Sequence, residues 1–166
     1  DIYVFDVGES CQQRMLYMGL GLVKVKAIFI THMHGDHYLG LFGMLQSMHL
    51  LDKKDELSII APNPLVDLIN TVIEKKHVKL TYPYNIRSVA EGEVFSDSKI
   101  AVNAFSVNHI PESYGYEIVL KTGKRIVYTG DTAFYEKIAE ISKNAELLIH
   151  ESTFTSRDRE EAVAEK

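Results

Sequence analysis

The stretch Thr31-His32-Met33-His34-Gly35-Asp36-His37 places four potential metal ligands within six residues. It follows residues 25–30, a short β-branched and aromatic run that predicts a largely buried strand. A helix-like spacing of apolar residues begins after it. The ligands are therefore expected on the loop at the exit of a strand, as a dinuclear metal site.

The spacing of the ligands predicts which of them share an ion. Residues two apart in extended chain point to the same side, so His32 and His34 can face one ion together. Asp36 and His37 lie beyond the turn at Gly35 and can face a second. Imidazole with carboxylate suits zinc, with manganese or iron as alternatives. A polar loop without metal is a poor explanation, because the whole chain has only seven histidines.

Length and composition predict one domain with a substantial core, since the chain has 166 residues of which 46% are hydrophobic and 25% charged. The single Cys11 excludes an intrachain disulfide and favours a reducing compartment. With no membrane-length apolar run and no signal-peptide pattern, we expect a cytoplasmic protein. The net charge of −5 gives no general attraction for nucleic acid, but bound cations would offset it locally.

The rest of the sequence predicts alternating strands and helices, and therefore helices that cover sheets in an α/β arrangement. A helix is expected after the ligand motif, with Tyr38, Leu41 and Met48 on its apolar face, and another after the cap Asn63. Thr122-Gly123 predicts a hairpin turn. A further helix is expected from Asp131 through Ile141. The predicted strands are residues 1–6, 79–82, 94–95, 100–107, 116–120, 125–128 and 146–150, the last of them buried.

Two further polar positions follow predicted strands, where ligands and catalytic groups commonly gather in α/β folds. Taken alone, His109 is more often a satisfied histidine, and Asp131 can be an ordinary turn residue. The upstream cluster changes this balance, because its ions need more ligands than it supplies. A carboxylate such as that of Asp131 can also bridge two cations.

The ordered set His32-x-His34-x-Asp36-His37, His109 and Gly130-Asp131 resembles the metallo-β-lactamase superfamily. Several segments resemble one branch of it, ribonuclease Z, which trims the 3′ end of precursor tRNA. These are Phe5-Asp6-Val7-Gly8-Glu9-Ser10-Cys11-Gln12, Asn108-His109 with Gly115-Tyr116, Thr129-Gly130-Asp131-Thr132, and Leu147-Leu148-Ile149-His150-Glu151-Ser152-Thr153-Phe154. The histidine cluster specifies the superfamily, and the segments at Glu9 and Glu151 specify the branch.

The resemblance implies a four-layer αββα metallo-β-lactamase sandwich, here a partial one. Residues 1–166 would form a single domain without the family's N-terminal strands and its C-terminal metal-ligand segment, and residues 157–166 would begin a charged helix. The implied cofactors are two zinc ions. Their ligands would be His32, His34 and His109 for one, Asp36 and His37 for the other, and Asp131 between them.

The resemblance also implies the chemistry, in which a metal-activated water attacks a phosphodiester of precursor tRNA. Asp36 would accept the proton of that water, and Glu151 would transfer a proton or support the ligands. Glu9 and Gln12 can be read as residues that only fix a loop, and Glu151 as an ordinary strand-end carboxylate. A homodimer is implied as well, in which one subunit grips the substrate that the other cuts.

Two departures from the family pattern keep other functions open. The family's final histidine ligand has no counterpart in this sequence. Only 21 residues separate His109 from Asp131, which leaves no room for the long arm that grips tRNA in many ribonucleases Z. The alternatives are a hydrolase of small molecules, such as cyclic nucleotides, lactones or aryl esters, and a non-catalytic scaffold, which the six surviving ligand positions disfavour.

Overall fold

The computed structural model describes residues 1–153, and the chain divides into two compact units. The first unit is Asp1–Val89, and the second begins at Ala90. Two expectations from the sequence concern the charged stretch 157–166 and Phe154. These residues lie outside the described part of the chain. Within residues 1–153, no helix has both the length and the apolar character that crossing a membrane requires.

The first unit is built on a parallel sheet of four strands. In spatial order they are β1 (Ile2–Phe5), β2 (Val25–Phe29), β3 (Leu57–Ala61) and β4 (Tyr84–Ser88). The central strands β2 and β3 are almost entirely buried, as expected for strands covered on both faces. Because β1 and β2 pair in parallel, the residues that follow them meet at one edge of the sheet.

The first unit, all of which is described, has four α-helices: α1 (Cys11–Tyr17), α2 (Gly35–Tyr38), α3 (Leu41–Leu50) and α4 (Asn63–Glu74). The predicted apolar face of α3 is confirmed, since Leu41, Leu45 and Met48 are fully buried. The single helix expected after the ligand motif is instead two, α2 and α3. The break occurs at Gly40, whose amide donates to the Val7 carbonyl at 2.9 Å.

The strand predicted at residues 79–82 is wrong, because this segment has no ladder partner. Its side chains pack on helix α3 instead. Tyr82 is 3% exposed and its hydroxyl donates to the Leu45 carbonyl at 3.2 Å, while the Lys79 amide donates to Gln46 Oε1 at 3.2 Å. The strand at this edge of the sheet is β4, which begins only after Pro83 and which the sequence did not predict.

The second unit contains a five-stranded sheet in its described part. Its strands, again in spatial order, are β5 (Gly92–Ser96), β6 (Ile100–Ser106), β7 (Tyr114–Leu120), β8 (Arg125–Tyr128) and β9 (Leu147–Ile149). All neighbours are antiparallel except β8 and β9, which are parallel. The predicted hairpin turn is confirmed, since Leu120 bonds with Lys124 across it and Gly123 has a φ of 84°.

Two predictions for the second unit are wrong in part. The helix expected from Asp131 is α5 (Glu136–Ile141), which starts five residues later because the intervening backbone bonds to other loops. The strand expected at residues 146–150 exists as β9, but it is not buried. Its three residues are 44–49% exposed, since β9 is the edge strand of the described sheet.

Candidate metal centre

The ligand motif lies directly beyond the carboxyl end of β2, on the loop that leads into α2. His32 is completely buried, whereas His34 is exposed. The Nε2 atom of His32 and the Nδ1 atom of His34 are 3.1 Å apart, and the two rings meet edge to face. The first predicted pair of ligands therefore converges on one point.

The next two residues of the motif form a second pair. Asp36 Oδ2 lies 3.6 Å from His37 Nε2, and the side chain of Asp36 is 76% exposed. Ligand atoms about 2.05 Å from a tetrahedral zinc ion are about 3.3 Å from each other. Both separations are close to that value, and the nitrogen and oxygen donors are ones that zinc accepts. The residues of the motif thus fit the metal that the sequence suggested.

Asp6, which the sequence analysis did not select, supports both pairs. It follows β1, and its backbone has a left-handed φ of 58°, which aspartate tolerates better than most residues. Its carboxylate accepts from the Thr31 amide at 2.8 Å, from the Thr31 hydroxyl at 2.9 Å, and from His37 Nδ1 at 2.8 Å. The side chain is 9% exposed. A carboxylate in this position orients the histidine ring of a metal site.

These bonds determine which ring nitrogens can bind metal. Because the Asp6 carboxylate only accepts, His37 donates its Nδ1 proton, and Nε2 then carries the lone pair in the neutral ring. The Thr31 hydroxyl gives its one proton to Asp6, so in its 2.9 Å contact with His32 Nδ1 it is the acceptor. His32 Nε2 is therefore also a lone-pair nitrogen. One carboxylate fixes the tautomers of two predicted ligands.

Two glycines allow the loop after β1 to clamp the ligand motif. The Val7 amide donates to the His37 carbonyl at 2.6 Å. A Cβ atom on Gly8 would lie 2.1 Å from the Asp36 carbonyl oxygen, and one on Gly40 would lie 2.0 Å from the Gly8 carbonyl oxygen. No side chain fits at either position without moving the backbone. The close approach of the two segments holds Asp36 and His37 in place.

Gln12, from the same resembling segment, has a structural contact. Its side-chain amide donates to the hydroxyl of Ser47, which joins α1 to α3. The contact is between two helices, so it gives Gln12 a structural role but does not fix a loop.

In the second unit, the exits of β6 and β8 bring His109 and Asp131 together. His109 Nε2 is 4.0 Å from Asp131 Oδ2, and their side chains are 26% and 33% exposed. The surrounding backbone is tied by two bonds, from the Asn108 amide to the Thr132 hydroxyl at 3.2 Å and from the Ala133 amide to the Asn108 carbonyl at 2.7 Å. These residues form a third pair of nitrogen and oxygen donors.

Glu151 holds the loop that carries Asp131. Its Oε1 accepts from the Thr132 amide at 2.8 Å, and its Oε2 accepts from the Thr153 amide at 3.3 Å. Burial raises the pKa of Glu151, but the hydrogen bonds from Thr153 and Thr132 outweigh this effect and lower the pKa below its ordinary value. Glu151 is thus an ionised carboxylate at neutral pH, bonded beside a predicted ligand.

The model of one protein family, described as anti-Pycsar protein Apyc1, matches residues 2–164. Ribonuclease Z of Bacillus subtilis is 30% identical over 207 residues, covering 95% of this chain and 67% of that protein. Ribonuclease Z of Sulfurisphaera tokodaii is 31% identical over 197 residues, covering 91% of this chain and 66% of that protein. This chain spans about two thirds of the length of these relatives.

Solved structures agree with the sequence matches. The crystal structure of human tRNase Z, short form, has a TM-score of 0.84 and 28% identity, over 97% of this chain and 70% of that chain. That of the metallo-beta-lactamase fold protein YhfI from Bacillus subtilis has a TM-score of 0.73 at 19% identity, over 93% of this chain and 61% of that chain, and supports the fold. The resemblance found in the sequence motifs is thereby confirmed. The chain has the metallo-β-lactamase fold, and it belongs to the family described as anti-Pycsar protein Apyc1 and to the ribonuclease Z group of metal-dependent phosphodiesterases.

Proposed function

We propose that this chain is a zinc-dependent endoribonuclease that removes the 3′ trailer from precursor tRNA. The observation that carries the proposal is the pairing of ligand atoms beyond β2, at 3.1 Å for His32 with His34 and 3.6 Å for Asp36 with His37. The choice of substrate is supported by the names of the relatives, ribonuclease Z and tRNase Z.

Six residues are proposed as ligands of two zinc ions, with Mn²⁺ or Fe²⁺ as the alternative metals. When bound, two such ions lower the pKa of water and offset the negative charge that develops on the phosphate. The first ion would be held by His32, His34 and His109, the second by Asp36 and His37, and Asp131 would bridge them. The two donor pairs in the first unit and the third pair in the second unit support this assignment.

One carboxylate is proposed to act in the reaction, and a second to position the loop that carries Asp131. Asp36, the most exposed of the ligand carboxylates, accepts the proton of the attacking water. Of the two roles expected for Glu151, its hydrogen bonds and lowered pKa favour positioning, because an ionised group cannot donate a proton to the leaving 3′ oxygen. The leaving 3′ oxygen takes its proton from a water molecule, so the products are a 3′ hydroxyl and a 5′ phosphate.

Two observations favour a second candidate, a small-molecule hydrolase such as a cyclic-nucleotide phosphodiesterase or a lactone or aryl-ester hydrolase. Between His109 and Asp131 the chain forms only a short loop and the hairpin β7–β8, so no substrate-gripping arm is present there. The match to Bacillus subtilis ribonuclease Z also extends over 207 residues, more than the 166 of this chain, so that relative contains inserted segments.

Two further parts of the proposal concern where and with what the chain acts. We place it in the cytoplasm because its one cysteine, Cys11, cannot form a disulfide within the chain. We also propose a homodimer, which sedimentation of the purified chain measures directly.

A cleavage assay tests the function. The zinc-loaded protein is given a precursor tRNA with a 3′ trailer and, separately, bis-p-nitrophenyl phosphate. We expect both to be cleaved, the tRNA at the trailer junction, and we expect Asp36→Asn to abolish both activities. Asp55→Asn is the matched control, since Asp55 lies on the surface beside Lys26. Cleavage of the small diester alone would favour the second candidate, and cleavage of neither by metal-loaded protein would refute both phosphodiesterases and favour a non-catalytic scaffold.

A further inference from the structure

Phe134 presents an aromatic ring to solvent close to a proposed metal ligand. The residue is 83% exposed and follows Asp131 by three positions. Three residues of extended chain span at most about 10 Å, so the Cα atom of Phe134 lies within that distance of the Cα atom of Asp131. A nucleoside attached to a phosphodiester held at Asp131 is long enough to span that distance and reach Phe134.

The loop that carries Phe134 is fixed on both sides. Before it, the Ala133 amide donates to the Asn108 carbonyl at 2.7 Å, and the Thr132 amide donates to Glu151 at 2.8 Å. After it, Tyr135 is the N-cap of helix α5, and its carbonyl accepts from the Ile138 amide at 3.0 Å. These hydrogen bonds thus hold the backbone of Phe134 in a fixed position relative to His109 and Asp131.

Neighbouring apolar residues do not cover the ring. Tyr135 has extended backbone and is 36% exposed, less than half as much as Phe134. Ile138, on the first turn of α5, packs with Phe105 and Val127 in the core of the unit. Ile138 is therefore buried, whereas Phe134 is exposed to solvent and its flat face is available to a ligand.

We propose that Phe134 is a stacking platform for the nucleobase next to the scissile phosphate. Nucleobases stack on exposed aromatic side chains with little dependence on sequence, because every base has a π face. This inference rests on the proposed function and narrows its substrate to diesters that carry a nucleoside. The nucleoside can come from a polynucleotide or from a free nucleotide, and the two sources are separated below.

The first test compares two diesters with the same leaving group. Thymidine 5′-(p-nitrophenyl phosphate) carries a base, and methyl p-nitrophenyl phosphate does not. Phe134→Ala should raise KM for the thymidine diester roughly 5- to 100-fold with little change in kcat, because stacking acts equally on the bound substrate and the transition state. Its kcat/KM for the methyl diester should stay at the wild-type value. Phe134→Trp should retain the wild-type KM, and Tyr17→Ala, at a residue 94% exposed on α1, is the matched control.

A second test does not depend on activity. The fluorescence of 2-aminopurine riboside 5′-monophosphate is quenched when its base stacks, so wild type and Phe134→Trp should quench it and Phe134→Ala should not. Equal quenching by wild type and Phe134→Ala would overturn the proposal. So would a change in sedimentation caused by Phe134→Ala, since the ring would then be covered by a second copy of the chain.

The outcomes separate this proposal from the one on which it rests. If neither these diesters nor the precursor tRNA is cleaved, the proposed function fails, and the quenching still decides whether the base stacks. If both are cleaved equally well by wild type and Phe134→Ala, only the stacking fails. Two comparisons distinguish the sources. A rise in KM caused by Phe134→Ala with an intact RNA, but not with an RNA that is abasic at the cleavage site, indicates a polynucleotide, and a rise in KM with a 3′,5′-cyclic nucleotide indicates a free nucleotide.

Discussion

Replacing Asp6 by asparagine removes the charge that orients the ligands without changing the size of the side chain. The carboxylate accepts from Thr31 and from His37 Nδ1. In Asp6→Asn the amide oxygen can keep the bond from the Thr31 amide, but the NH₂ group then faces His37 Nδ1. Two donors cannot share a hydrogen bond, so the ring must move its proton to Nε2, the nitrogen that the metal needs.

The size of the effect follows from the contacts that change. Mutation of a group that hydrogen-bonds a metal ligand lowers metal affinity about 10- to 100-fold, or about 1.4–2.8 kcal/mol. Loss of one hydrogen bond to a charged group costs about 1.5–3 kcal/mol of folding free energy. In Asp6→Asn we therefore expect the ion at His37 to bind about 10- to 100-fold more weakly, and we expect the protein still to fold.

Competition with a chromophoric zinc chelator measures the affinity of each ion, and urea unfolding of the metal-free protein measures stability. Asp55→Asn serves as the control, because it also removes an aspartate charge but at a surface pair with Lys26, 3.2 Å away. Wild-type affinity for both ions in a folded Asp6→Asn protein would refute the role given to Asp6.

Three further variants follow from the contacts. Asp131→Ala should lose both ions, because it removes the proposed bridge, whereas Asp36→Ala should lose activity more than metal content; metal analysis of each variant checks this. Lys53→Ala should lower the free energy of unfolding by about 2–4 kcal/mol, because the buried Lys53 ammonium donates to two carbonyl oxygens, at 3.0 and 2.8 Å. Lys54→Ala, at an exposed residue, should change it little, and urea unfolding measures both variants. The pKa of Glu151 in the folded chain is lower than its ordinary value of 4.5, so the ionised side chain stabilises the fold at pH values above 4.5. The difference in Tm between wild type and Glu151→Gln should therefore be full above that pH and shrink as the pH falls below it; an unchanged difference would contradict this.

The local part of the site could be predicted because its signal is continuous in the sequence. The apolar run before the motif indicates a strand that is buried on both faces. The spacing of the histidines in extended chain indicates which of their side chains lie close together. Both features appear in the structure, as β2 and as the pairs that include His32 and His37.

The parts that were missed depend on which segments are neighbours in space. An aspartate after a short strand is common, so the sequence alone does not single out Asp6. Its role can be recognised only when β1 is known to pair with β2. Strand β4 has mostly exposed side chains and is held by backbone pairing to β3, so it shows no hydrophobic alternation. At residues 79–82 the apolar pattern is real, but it reflects packing of Tyr82 on a helix rather than pairing in a sheet.

The number of zinc ions that one chain binds tests the dinuclear centre most directly. Native mass spectrometry of the wild-type protein, dialysed against limiting zinc after chelator treatment, counts them without reference to any substrate. Two ions per chain are predicted, with neither retained after Asp131 is replaced by alanine. A chain that takes up no zinc, or that saturates at one ion, would contradict the account.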